Sequence, residues 1–478
     1  HVPAAHPHTD LWPSLSLSPR TSLTHHHHPP PSFLPQCPMG LYAEQLSGTA
    51  FTAPRSHGAG NQCSWLYRIH PSVMHSRFVK TPQAKLVGRF TGSDTHIDPN
   101  QFRWPPLAIP TSASTPVNFV QGLVTMAGAG DAEAHNGLAI HLYACSASMT
   151  TEHSCFCNAD GDMLIVPQTG TIVVTTEFGV MRVEPCEICV VQRGMKFAVD
   201  VLDGAARGYV LEILKGHFVL PDLGPIGANG LANPRDFETP VAAFVDSGDE
   251  EHVFYNKFGG HLWRATTPHN PFDVVGWHGN YAPYKYDLRK FMCINSVCFD
   301  HPDPSIYTVL SCLSDEPGVA IADFVIFPPR WMVMEHTFRP PYYHRNIMSE
   351  YMGQIWGAYD AKVGFIPGAS SLHSCMTPHG PDAPTFEGAS AAALAPEYFG
   401  KGLAFMFETC LTLRLTDHAV ETADLDYPAC WDGLQRHFDP SIVVPEGTPA
   451  GPVPTVGAAA AAHALTAQAA QLAAAVAK

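Results

Sequence analysis

A mainly β fold built from small jelly-roll barrels is what this chain predicts, and two observations carry the expectation. Forty-four prolines and 38 glycines among 478 residues punctuate it too densely for long helices. Between them lie short apolar and β-branched runs that suit pleated, buried surfaces. With 45% hydrophobic and 15% charged residues the chain can bury a sizeable core, and its length suggests two domains.

Residues 1–40 stand apart, rich in Pro, Ser and His, with a run of four histidines at 25–28 and no initiator methionine. They read as a low-complexity, disordered stretch or as an error of gene prediction. Few acids and several serines suggest a transit peptide, but basic residues are too scarce to support it. Chelation by His25 to His28 would be a test-tube property.

Residues 41–290 read as a β-rich N-terminal domain. Strands are expected at Leu138 to Tyr143, Met163 to Val166, Thr171 to Thr175, Glu187 to Val191, Phe197 to Val201 and Tyr209 to Ile213, separated by glycine turns in a cupin-like rhythm. His135, His141 and His153 lie in this region without a carboxylate in convincing register, so a structural barrel is expected rather than a second metal site. Cys186 and Cys189 form a CxxC, but their odd separation puts them on opposite faces of a strand, against a redox or zinc role. The glycine-rich 224–230 is no nucleotide loop, because Pro225 and Pro234 spoil the helix that such a loop must open.

A C-terminal, cupin-type domain is expected over residues 291–440, with strands at Phe291 to Cys298, Ile306 to Cys312, Ala320 to Phe327, Tyr343 to Trp356 and Leu403 to Leu415. Residues 441–478 form a Pro/Gly linker and an alanine-rich tail of helical propensity. A net charge of −16 argues against nucleic acid or an anionic membrane surface, and no apolar run is long enough for a membrane span. Thirteen scattered cysteines fit a reducing, cytoplasmic setting.

Function is concentrated between Pro340 and Asp382. His344 and Glu350 are an even number of residues apart, so an extended strand would project both from one face. A turn-rich passage then reverses the chain at Gly364, Pro367 and Gly368, and His379 enters a following strand from which an antiparallel partner could supply a third ligand. Two imidazoles and one carboxylate suit a non-haem Fe(II) site with open positions for substrate and O2, and equally a catalytic zinc. Asn346 and Met348 share the parity of the ligands and should line the same cavity. Arg345 should face away into a structural ion pair. His373, six residues before His379, also reaches the pocket. His278, with Tyr281, Tyr284 and Tyr286, reads as a hydrogen-bonded aromatic cluster rather than a catalytic group.

The words PPYYHRN, MSEYMG and SLHSCMTPHGPD, with WHGNYAPYKYDL at 277–288, INSVCFDHPDPS at 294–305 and LGPIGANGLANPRDF at 223–237, resemble the homogentisate 1,2-dioxygenase family from about Leu41 to Pro440. The resemblance implies a β-rich N-terminal domain joined to a cupin-type domain, and Fe(II) held by His344, Glu350 and His379. It also implies cleavage of the homogentisate ring by O2, between the acetate-bearing carbon and its hydroxyl-bearing neighbour, to give maleylacetoacetate in tyrosine and phenylalanine catabolism. His301 in FDHP would be the proton acceptor and the Tyr359 hydroxyl a substrate contact. Because the family uses three protein ligands, His373 is assigned a hydrogen-bonding or substrate-binding role, alongside Asn346. A hexamer built as a dimer of trimers is likewise implied. The first 40 residues lack the SGFGN-type motif usual in that family. A zinc or manganese cupin isomerase or hydrolase, and a non-catalytic cupin binding protein, are the competing readings.

Overall fold

The structure, a computed structural model, describes residues 37–50, 60–83, 85–92, 94–111, 115–222, 231–248, 250–293, 307–332, 342–393 and 395–441. Three large sheets dominate it, and among the described residues strand pairing is antiparallel except where His252–Phe258 runs parallel to Ser154–Asn158. The seven-stranded sheet runs, in spatial order, from Gly179–Val183 through Ile172–Thr176, Lys196–Val201, Ser154–Asn158, His252–Phe258 and His261–Thr267 to Val79–Lys80. At the centre of the nine-stranded sheet lie Glu187–Val191, Asp162–Thr169, Ala206–Ile213, Asn136–Cys145 and Leu123–Asp131. The six-stranded sheet orders Thr308–Leu313, Ala320–Phe327, Gly402–Thr409, Ser349–Gly357, Ser370–His373 and Phe102–Trp104.

The nine-stranded sheet is buried on both faces. Leu138, Ile140, Leu164, Val166, Leu211 and Ile213 join one core with Phe324, Tyr351 and Phe405 of the six-stranded sheet. Alternate residues of the same strands, Tyr143, Met163, Ile165 and Val210, join a second core with Phe156, Val174 and Phe197 of the seven-stranded sheet. Strands covered on both sides need apolar residues at successive positions, which is why these segments read as continuous hydrophobic runs.

Each of the six expected N-terminal strands is present, with Glu187–Val191 matching to the residue and Leu138 to Tyr143 extended to Asn136–Cys145. Three expectations need correction. The strand anticipated from Tyr343 begins only at Ser349, because the Asn346 side chain accepts the Met348 N–H at 2.6 Å and folds the chain into a local turn first. His379 leads not into a strand but into the helix Ala383–Ala391, where Asp382 caps the Thr385 N–H and Pro384 occupies the first turn. Leu403 to Leu415 divides into Gly402–Thr409 and Arg414–Thr416, the second of which pairs with Leu123–Asp131 in the nine-stranded sheet. Of Phe291 to Cys298, Met292 bridges Leu231 and residues 294–298 lie outside the described residues, as do the loop 223–230, residues 1–36 and the tail from 442. Cys186 precedes its strand at a left-handed turn (φ 75°) and Cys189 is buried within it, both thiols free. Among the described residues no helix is long and apolar enough to cross a membrane.

Candidate metal centre

Glu350 is the one expected ligand on a regular strand. Antiparallel register sets it opposite His373 of Ser370–His373. His344 and His379 come from two irregular segments that pair through one isolated antiparallel bridge, with backbone N···O distances of 2.9 and 3.2 Å. Both rings thereby reach the Glu350 carboxylate: His379 Nε2 lies 2.9 Å from Oε2 and His344 Nε2 3.4 Å from Oε1. The three donor atoms lie within 4.8 Å of one another, and Glu350 and His379 are buried. Strand parity anticipated that His344 and Glu350 would meet, but the turn at Asn346 rather than a continuous strand delivers His344.

The donor chemistry fits a cation. His344 Nδ1 donates to the Tyr342 carbonyl at 2.9 Å and His379 Nδ1 to the Thr377 carbonyl at 2.9 Å. With the proton fixed on Nδ1, a neutral ring offers a lone pair at Nε2, and both lone pairs face carboxylate oxygens. Acceptors placed so close need a positive charge between them, whether a metal ion or a proton. Burial alone would raise the Glu350 carboxyl, but contacts from His344 and His379 hold it well below the usual range. Burial opposes protonation of His344, and its contact with Glu350 raises it.

Around the ligands, Asn346 donates from Nδ2 to Glu350 Oε1 at 2.6 Å. Its amide is thus engaged by the carboxylate on one side and by Met348 N–H on the other, a ligand-orienting position. His373 stacks on the His379 ring, with centroids 4.2 Å apart and planes 8° from parallel. Its Nε2 lies 2.8 Å from the Tyr427 hydroxyl and 3.2 Å from Lys362 Nζ, and burial with Lys362 nearby pushes its pKa well down. Burial also lowers Lys362 to about 8. Lys362 and Tyr427 escaped the sequence reading; a lysine in the apolar, turn-rich GAYDAKVGF was a faint signal, whereas nothing local marks Tyr427.

Gly357, at φ 72°, turns the chain before Tyr359, and a Cβ there would lie 1.9 Å from the Lys401 carbonyl. The Tyr359 ring then sits edge-on to Phe327 and Phe365, at 6.2 and 5.8 Å, and burial pushes its hydroxyl pKa up. Arg345 is exposed. His301 lies outside the described residues. His278 bonds the Tyr67 hydroxyl at 3.1 Å on the surface, while Tyr281, Tyr284 and Tyr286 are buried.

The chain matches the family descriptions "Homogentisate 1,2-dioxygenase N-terminal" over residues 22–288 and "Homogentisate 1,2-dioxygenase C-terminal" over 289–438. It is 56% identical over 411 residues to homogentisate 1,2-dioxygenase of Homo sapiens, covering 85% of this chain and 91% of that protein. With the Drosophila melanogaster protein of that name the identity is 56% over 407 residues, covering 84% and 91%. With the Arabidopsis thaliana protein it is 54% over 409 residues, covering 84% and 87%. Among solved structures, a Cupin 2 conserved barrel domain protein from Leptotrichia buccalis is similar at 9% identity and a TM-score of 0.25, covering 65% of this chain and 100% of that one. An oxalate decarboxylase is similar at 12% and 0.24, covering 72% and 79%. Identity above half over most of both lengths, together with two matching domain descriptions, makes this chain a member of the homogentisate 1,2-dioxygenase family.

Proposed function

We propose that the chain binds Fe(II) through His344, Glu350 and His379 and opens the aromatic ring of homogentisate with O2, giving maleylacetoacetate in the breakdown of tyrosine and phenylalanine. The family supplies the ring-cleaving activity. The observation that carries the metal assignment is the donor set, two imidazoles clamped at Nδ1 by backbone carbonyls with Nε2 of each turned on one buried carboxylate; the family supplies the choice of iron. One carboxylate and two neutral imidazoles leave positions on an octahedral ion for substrate and O2, which a closed structural zinc site would lack.

Bound iron would supply a Lewis acid that favours the ionised phenol and a redox centre able to react with O2. The chain supplies the rest. Glu350 would neutralise part of the ion's charge, and Asn346 holds that carboxylate in place. His301 is assigned the phenol proton by the family motif, and an imidazole has the basicity for it near neutrality. Tyr359, kept protonated by burial and braced edge-on by Phe327 and Phe365, would offer a hydrogen-bond donor to the substrate. His373 supports the His379 ring by stacking and stays neutral, which suits hydrogen bonding rather than a fourth ligand role.

A domain division near Lys290, a cytoplasmic location and a hexamer assembled as a dimer of trimers complete the proposal on family grounds. The test is oxygen consumption by protein reconstituted anaerobically with Fe(II) and given homogentisate, with zinc loading as control and maleylacetoacetate absorbance as product readout. Iron-dependent uptake with product is expected. A folded, iron-loaded protein that consumes no oxygen would overturn the reading.

A further inference from the structure

We infer that the chain carries a second divalent-metal site, distinct from the catalytic one, on the surface of the N-terminal barrel at His153, Glu250 and His252. Donor atoms of these three side chains lie within 4.8 Å of one another. The parallel pairing of Ser154–Asn158 with His252–Phe258 matches Val253 to Ser154, which brings His252 beside His153. Val253 N–H donates to the His153 carbonyl at 2.7 Å and locks that register. The two rings stand 5.2 Å apart. The sequence offered no carboxylate in register because Glu250 arrives from a distant connection, through spatial rather than local proximity.

Two features point to a metal rather than to a simple surface ion pair. First, His252 is prepared in the same way as the catalytic histidines. Its Nδ1 donates at 3.0 Å to the carbonyl two residues earlier, that of Glu250, as His344 does to Tyr342 and His379 to Thr377. A buried imidazole with its proton fixed on Nδ1 presents its lone pair at Nε2. Second, His153 Nδ1 and Glu250 Oε1 lie at hydrogen-bond distance, 2.8 Å, with a His252 donor within 4.8 Å of both, so an ion that replaced the proton between them would gain a third ligand. Side chains of His153 and Glu250 are 47% and 43% exposed, so an ion can enter and keep water on its remaining positions. Two imidazoles and one carboxylate select borderline divalent ions such as Zn(II) over Ca(II) or Mg(II).

The site would bind the segment ending at Glu250 to the barrel, and its occupancy is independent of iron and of turnover. The test titrates Zn(II) into full-length, iron-loaded protein in which His25 to His28 are changed to Gln, removing the competing histidine run. One zinc per chain beyond the iron is expected. His153→Ala and Glu250→Gln, both at half-exposed positions, should weaken that binding at least about tenfold. Equal zinc binding by the parent and by both surface variants would overturn the assignment, as would the absence of any zinc uptake by the iron-loaded parent.

Discussion

Asn346 separates two accounts of how this site works, and its replacement by Ala tests them. As a substrate contact, Asn346 would affect the Michaelis constant and leave metal binding alone. The structure instead spends its amide on the chain itself, with Nδ2 donating to Glu350 Oε1 at 2.6 Å and Oδ1 accepting Met348 N–H at 2.6 Å. A hydrogen bond to a buried carboxylate is worth about 1.5–3 kcal/mol, which corresponds to roughly 10- to 150-fold in an equilibrium constant. Removing it frees the carboxylate to rotate away from His379 and loosens the turn that delivers His344. Asn346→Ala should therefore weaken metal affinity by about one to two orders of magnitude. The assay is chelator competition on anaerobic protein, with circular dichroism as the control for folding. Metal affinity within about twofold of the parent, accompanied by a raised Michaelis constant, would refute this reasoning and restore the substrate-binding role.

Four further outcomes follow from the same geometry. His301→Ala should retain iron and lose turnover, whereas Glu350→Ala should lose iron; iron analysis beside oxygen uptake distinguishes them, and iron loss from the first variant would sink that division of labour. Lys257→Met strands two buried carboxylates, since its ammonium lies 2.7 Å from Glu212 and 2.8 Å from Asp160; urea unfolding should show a loss of about 3–5 kcal/mol. Burial pushes the Glu212 carboxyl up, but Lys257 and His141 outweigh it and hold it at about 2, against 4.5 in the unfolded chain. Its contribution, about 3 kcal/mol, is complete above pH 4.5 and disappears as pH falls towards 2, so the acid slope of unfolding stability should flatten in Glu212→Gln. Residues 41–290 expressed alone should fail to melt cooperatively, because they lack Arg414–Thr416 and leave the Leu138, Leu164 and Leu211 face uncovered; a soluble monomer with a sharp transition would contradict this.

How far the sequence spoke depends on the distance over which each feature is built. Strands of the nine-stranded sheet were legible because double-sided burial writes apolar residues into consecutive positions. The meeting of His344, Glu350 and His379 was anticipated through motif words and parity, although parity assumed a strand that Asn346 interrupts. A side chain that hydrogen-bonds its own backbone competes with the ladder, and period-2 reasoning cannot register that competition. His373 was placed near the site, but its stacking on His379 depends on a register between separate segments. Tyr427 and Lys362 lie deeper in this problem, for their meeting at His373 joins residues that no local pattern connects.

The same reasoning explains why the two halves read from the chain share strands. Phe102–Trp104 leaves the N-terminal half to pair with Ser370–His373, and Arg414–Thr416 leaves the C-terminal half to pair with Leu123–Asp131. Trp104 is buried at that exchange, stacked 5.8 Å from Tyr351 and donating its Nε1–H to the Ala419 carbonyl at 2.6 Å. Tyr351 adjoins Glu350 in sequence, so the strand that carries the Glu350 carboxylate has one face packed on an element from the other half. The N-terminal half therefore supports the candidate metal centre through packing: it helps fix the sheet from which Glu350 projects, while looser segments bring His344 and His379 to it.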